Sequence, residues 1–368
     1  MNVALAANGC GISQSLGDSL DIRLSGDAQR IAENLWAQEL DVYHEIDVHW
    51  GTLQAWLRAL MAWRGIDEII AEEMAILPGM EELAGLLYLT NYYESSEYDV
   101  IIVDCAPTGE TLRLLSFPDV LRWWMERIFP IQRAAAKVVR PVLKRLSNIP
   151  MPEETVYQAA VELFARLDKM HQLLTTPDLA SVRIVLNPEK MVIKEAQRTY
   201  TYLNLYGYGT DQVVCNRLIP SELVEPYFAR WREAQQRHFV EIEEGFAPLP
   251  IFRAPLMDQE VVGLEMLGRF AQQIYGDQDP SQVMYRGRLQ SVEQTPDGYA
   301  MTLHAPFAEK SELDLVQVGE ELIVKVGNQR RNLLLPRILV GMEIAEAKLE
   351  DEELTIQFRK PAPEEANA

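Results

Sequence analysis

Asp99-Val100-Ile101-Ile102-Val103-Asp104-Cys105-Ala106-Pro107-Thr108-Gly109 has the order of groups that phosphate chemistry needs. It reads as a buried strand, an acid at its carboxyl end, and a tight loop opening a helix. Tyr98 to Val103 is almost all β-branched or aromatic, as a parallel strand covered on both faces must be. Pro107 and Gly109 break the strand, and Thr111-Leu112-Arg113-Leu114-Leu115 begins a helix. Ligands of open α/β sheets lie beyond the carboxyl ends of the strands. An aspartate there, Asp104 in this chain, is the group that organises Mg²⁺ in phosphoryl transfer. By itself, an acid after a buried strand marks only the point where the strand reaches solvent. The Asp-x-Ala-Pro-Thr-Gly continuation turns the reading toward a magnesium–nucleotide site.

Other chemistry is thinner. Cys10, Cys105 and Cys215 are too few and too scattered for a disulfide framework or a Cys-x-x-Cys zinc site. No zinc is expected, and a reducing, cytoplasmic compartment fits. Metalloid binding needs soft thiolates gathered together, and Cys105 and Cys215 read instead as small buried residues. The net charge of −21 over 368 residues opposes nonspecific binding to nucleic acid or anionic membrane. Arg58, Arg122 and Arg127 interrupt the most apolar stretches, so no transmembrane helix is expected. Arg133, Lys137, Arg140, Lys144 and Arg145 form a local basic face beside the bulky Trp123, Trp124, Met125, Ile128 and Phe129. Core plus solvated face accounts for them, and so does a hydrophobic groove for a client helix.

The elements that must position these groups follow from periodicity. A composition 48% hydrophobic and 24% charged suits a soluble protein of two or three domains. Met1 to Ala7 resembles the end of a strand, a short helical run follows Asp27, and Asn34 to Asp41 reads as a brief strand. Val42 to Trp63, Ile66 to Met74 and the stretch from Pro78 read as helices. Prolines divide a long helical region from Leu112 to Leu174. Then strand and helix alternate: Val182 to Leu186, a helix from Pro188 that Gly207 can cap, Asp211 to Arg217, Glu222 to Glu244, an edge-like Pro248 to Phe252, and Val261 to Tyr275. This order predicts an α/β fold with a mostly parallel sheet. After a linker at Gly276 to Ser281 the period becomes two. Tyr299, Met301 and Leu303, then Leu322, Val324 and Val326, then Leu354, Ile356 and Phe358 predict an all-β sandwich.

Asp104 to Leu115 resembles the switch II segment of the ArsA-type ATPases, the arsenite-pump and tail-anchored-protein-targeting ATPases, which write Asp-Thr-Ala-Pro-Thr-Gly-His-Thr-Leu-Arg. Here Cys105 replaces the threonine and Glu110 the histidine. Pro78-Gly79-Met80-Glu81-Glu82 is similar to the family's Pro-Gly-x-Asp/Glu-Glu, and Ser15 to Ser19 to the end of its switch I. The resemblance runs from about residue 15 to 276. It implies a P-loop NTPase-like sheet with a helical insertion at about 112–180, using ATP and Mg²⁺. Asp104 would be the indirect magnesium-side acid. Pro107 would contact the nucleotide, Thr108 and Gly109 would sense the γ-phosphate, and Asn216, Pro255 and Leu256 would lie at the adenine. A homodimer, a hydrophobic helical client and peripheral membrane association are further implications. Residues 283–359 resemble a small heat-shock (α-crystallin) domain, and 360–368 read as a polar tail.

One departure bears on activity. No Gly-x-x-x-x-Gly-Lys-Ser/Thr occurs in these residues, and aligning Ser15 to Asp18 on the family puts Gly11 at its hydrolytic aspartate. The P-loop amides cradle phosphate and its lysine reaches the β/γ oxygens. The first sheet strand, the P-loop and the water-positioning acid are therefore expected to be missing, and hydrolysis with them. A truncated or frame-disrupted copy, with residues 1–14 unrelated, and a true pseudo-ATPase both fit; the abrupt start of matching at Ser15 favours the former. Three functional expectations stand: a nucleotide-coupled client binder, a non-catalytic chaperone-like binding protein, and an arsenite or anion pump subunit.

Overall fold

The computed structural model describes residues 3–8, 16–40, 55, 80–104, 154–223, 225–287, 290–296, 298–327, 329–336 and 338–359. The chain divides into two compact units, Met1–Leu173 and Leu174–Ala368.

In the first unit β1 (Val3–Asn8), β2 (Gln29–Ala32), β3 (Leu35–Leu40) and β4 (Val100–Asp104) form one sheet in the order β2-β3-β1-β4. β1 pairs in parallel with β3 on one side and with β4 on the other, Ala7 lying opposite Asp104. The strand end read at Met1 to Ala7 is thus β1. Val-Ala-Leu-Ala-Ala is too short and too uniform to show a period, so only its pairing reveals its place. The short helical run expected after Asp27 is instead β2, antiparallel at the sheet edge. The strand before Asp104 is not covered on both faces among the described residues, since Ile102 is 51% exposed.

α1 (Leu16–Leu20) is a single turn that depends on a glycine. A Cβ at Gly17 would sit 2.7 Å from the Ile22 carbonyl oxygen. That close approach lets the Ile22 amide donate to the Gly17 carbonyl (3.0 Å) and turn the chain back. Next comes α2 (Met80–Ser95). Its Tyr92 packs edge-on to Tyr98, Tyr98 meets Trp36 in the same way, and the Tyr92 hydroxyl donates to buried Gln38. α3 (Glu154–Leu174) buries Ala160, Leu163, Leu167 and Met170, a stripe at the three-and-four spacing of one helix face. Apart from the helical residue 55, the helices read between Val42 and Met74, and the expected long helical region before residue 154, lie outside the described residues.

The second unit opens with strand–helix alternation. β5 (Val182–Leu186), α4 (Lys190–Tyr206), β6 (Thr210–Leu218), α5 (Pro226–Gly245), β7 (Ile251–Pro255) and α6 (Gly263–Tyr275) follow in order. β5 and β7 flank β6, both in parallel. β7 is an edge, as Pro248 and Pro250 suggest. Thr210 to Cys215 of β6 is buried without a break, which suits a central strand. Gly207 closes α4 at φ 82°, its amide donating to the Asn204 carbonyl (3.0 Å). That left-handed conformation is open to glycine at little cost.

The remaining strands make a two-sheet sandwich. β8 (Gln290–Thr295), β9 (Gly298–His304), β13 (Glu343–Glu350) and β14 (Glu353–Arg359) pair in the order β13-β14-β9-β8. β10 (Leu313–Val318), β11 (Glu321–Val326) and β12 (Gln329–Leu334) form the other sheet. Every pairing here is antiparallel. Met301, Leu303, Leu322, Val324, Val326, Leu354, Ile356 and Phe358 of the period-two set read from sequence are buried, while Tyr299 is only half-buried. Each of the buried side chains contributes about 1.5–3 kcal/mol of burial.

Candidate nucleotide site

In the second unit, the candidate site is the carboxyl end of β6. Cys215 pairs with Arg253 of β7, and Leu218 with Pro255. Three steps on one strand therefore face two on the other. The extra residue is a β-bulge, which breaks the ladder and re-aims the side chains within it. Asn216 and Arg217 occupy it, and Arg217 takes φ 54°, a left-handed conformation that a non-glycine residue adopts at a cost of about 1–3 kcal/mol. The Asn216 Oδ1 accepts the Arg217 amide at 2.9 Å, which fixes the orientation of the carboxamide. β6 and β7 rejoin just beyond, where the Leu256 amide donates to the Leu218 carbonyl (2.8 Å). Gln235 of α5 holds the loop that follows, accepting the Ile219 amide at 2.8 Å.

Asn216 in the bulge, and Pro255 and Leu256 where the strands rejoin, thus lie at the same end of the β6–β7 pair. Asn216 is half-buried, and the Leu256 side chain is 43% exposed beside the re-joined strands. A carboxamide held by its oxygen keeps an N–H₂ for a ligand and a second lone pair on the oxygen. With a neighbouring apolar side chain, this fits the edge and face of a planar base such as adenine.

In the first unit, Asp104 ends β4 next to the end of β1. Its residue surface is exposed, while burial of the carboxyl raises its pKa above the usual 3.8. A carboxylate destabilised in this way is suited to a cation that restores its charge balance. Pro107, Thr108 and Gly109 lie outside the described residues, as does Ser15. Among the described residues no three His, Cys, Asp or Glu side chains gather into a metal cluster. A magnesium ion held partly by phosphate and water needs only one such acid, so Asp104 suits that ion.

Residues 13–276 match the model of the anion-transporting ATPase family. The chain belongs to that family. An HSP20-like domain found in these ATPases matches residues 296–358, the sandwich. The putative arsenical pump-driving ATPase 1 of Aquifex aeolicus is 39% identical, over 94% of this chain and 89% of that protein. The putative arsenical pump-driving ATPase of Chlorobaculum tepidum is also 39% identical, over 94% of this chain and 86% of its own length. The ATPase GET3 of Podospora anserina is 26% identical, over 71% of this chain and 79% of its own. In this anion-transporting ATPase family member the fold is α/β with an added HSP20-like β-domain. No described helix is long and apolar enough to cross a membrane.

Sequence reasoning missed two residues, one in each unit, that hold local turns in place. Glu39 accepts the Gly17 amide at 3.1 Å and so fixes α1 against β3. Arg217 carries the strain of the bulge. A lone glutamate in a strand gives no signal of its partner, whereas an Asn-Arg pair closing an apolar run could have suggested a bulge. Cys215 is fully buried, and burial pushes its thiol up to about 12.

Proposed function

We propose that this chain binds an adenine nucleotide with Mg²⁺ as a dimer and couples the bound state to capture of a hydrophobic helical client in the cytoplasm. Asn216, Pro255 and Leu256 hold the base, Asp104 stands on the metal side, and Thr108 and Gly109 sense the γ-phosphate. Magnesium, when bound, supplies charge neutralisation at the phosphates. The observation that carries this reading is the bulge at Asn216, which orients a carboxamide at the carboxyl end of a central parallel strand.

The 368 residues hold no Gly-x-x-x-x-Gly-Lys-Ser/Thr. A polypeptide of this sequence therefore binds weakly, mainly through the base, and does not hydrolyse ATP at a useful rate. Calorimetric titration tests this. Adenosine should bind within about threefold of ATP, and Asn216→Ala should weaken both by about tenfold, equivalent to about 1.4 kcal/mol. No binding of either ligand at millimolar concentration overturns the base site. Magnesium-dependent turnover above that of an Asp104→Asn control overturns the loss of hydrolysis. A pump reading through metalloid thiolates is disfavoured at Cys215, because a buried thiol held protonated is a poor soft ligand.

A further inference from the structure

The C-terminal half of α4 is buried on all sides: every residue from Thr199 to Tyr206 is inaccessible. A helix that has no exposed face needs cover on opposite sides. The β5–β6 sheet supplies one side, and the HSP20-like sandwich supplies the other through a sheet edge. Among the described residues β12 is the last strand of its sheet, so its outer edge is not paired with another described strand. Side chains of α4 meet that edge. The Tyr206 hydroxyl lies 3.2 Å from the Arg330 carbonyl and 3.0 Å from Gln329 Oε1.

Arg331 of β12 works in the opposite direction. Its guanidinium donates to the carbonyl of Leu205, one of the terminal carbonyls that a helix leaves without an internal donor. A cation at that end also complements the helix dipole. The fit is close, since a Cβ at Gly207 would lie 3.2 Å from the Arg331 guanidinium. The loop after β9 adds two contacts. Thr201 donates to the Pro306 carbonyl, and Phe307 packs edge-on to Phe246 with ring centres 5.6 Å apart. The connecting segment is held as well. Asp211, fully buried, binds Arg183 at 3.2 Å and accepts the Met284 amide at 3.1 Å, while Arg286 pairs with Asp178.

We propose that the β12 edge is a dedicated intramolecular docking surface whose partner is the C-terminal half of α4. The sandwich is then a seated cap on the helix, not a swinging client holder. Its β12 edge is closed to strand pairing with a second copy or with an extended peptide. This proposal does not depend on the nucleotide reading.

Hydrogen–deuterium exchange on the full chain tests it. In the parent protein the amides of residues 203–210 and 329–334 should be protected together. Arg331→Met keeps the aliphatic stem and removes the cap. It should speed exchange at 203–210 by at least about tenfold while the core amides of β9, β11 and β14 stay protected. If Arg331→Met does not fold, Tyr206→Phe and Gln329→Ala carry the test, each with a rise of about threefold at the same amides. Exchange at 203–210 as fast as at an exposed loop in the parent overturns the proposal. So does parental exchange in every variant that folds.

Discussion

Asp104 carries a conflict between stability and chemistry. Burial raises its folded pKa above 3.8. Between the unfolded value and that raised value the folded chain binds more protons than the unfolded one, so stability falls as pH rises through the window. Above the window the charged carboxylate stays unfavourable. Below about pH 4 both states are protonated and the cost disappears. Asp104→Asn should therefore melt at or above the parent temperature at pH 7, with the difference closing as the pH drops below about 4. Calorimetric melting across pH 3–8 checks this. A variant less stable than the parent at neutral pH contradicts the account. An acid whose charged form is disfavoured by burial fits the pattern expected of functional acids.

At the scale of elements, short turns decide whether strands end in usable sites. The bulge in β6 converts a buried strand into a presented carboxamide within one residue. α1 shows a second case, since its exit turn has room for glycine alone. The Ile22 carbonyl that a Cβ at Gly17 would meet is backbone, which cannot swing aside as a flexible side chain would. Gly17→Ala should cost about 1–3 kcal/mol through the backbone shift it forces. In urea unfolding the midpoint should fall with the slope unchanged, since the surface exposed on unfolding stays the same. An unchanged midpoint would show that the turn relaxes freely.

At the scale of the whole molecule, the connection between the α/β strands and the sandwich is anchored on one buried carboxylate, Asp211. Asp211 is inaccessible, and Arg183 keeps part of its side chain in water. Replacing Asp211 by Asn leaves the guanidinium without its counter-charge and weakens the anchor on the Met284 amide. The expected loss is about 3 kcal/mol, the lower end for a broken buried pair because Arg183 is partly solvated. Limited proteolysis of the native variant should open the segment 276–287, which in the parent is tied at Asp279, Gln282, Met284 and Arg286. Equal cleavage of parent and variant would refute the anchoring of this segment by Asp211.

The sequence by itself determined the class and the order of this protein. Period-two alternation at Met301, Leu322 and Leu354 is visible in one strand at a time, because it follows from the pleat. The helices near 190–206 and 226–245 and the Gly207 cap are likewise local, and the resemblance at Asp104 to Leu115 is legible because those residues are contiguous. Tertiary structure decided what depends on partners distant in the chain. The place of Val3–Asn8 between β3 and β4 rests on pairing with residues some 30 and 100 positions away. β2 looked helical until β3 offered it a ladder. The bulge at Asn216 exists only in the register against β7. The docking of Arg331 on Leu205 joins residues with no common motif. Local conformational preference is written residue by residue. Register, edge cover and charge pairing are set by which surfaces meet, and they appear only when the chain is folded.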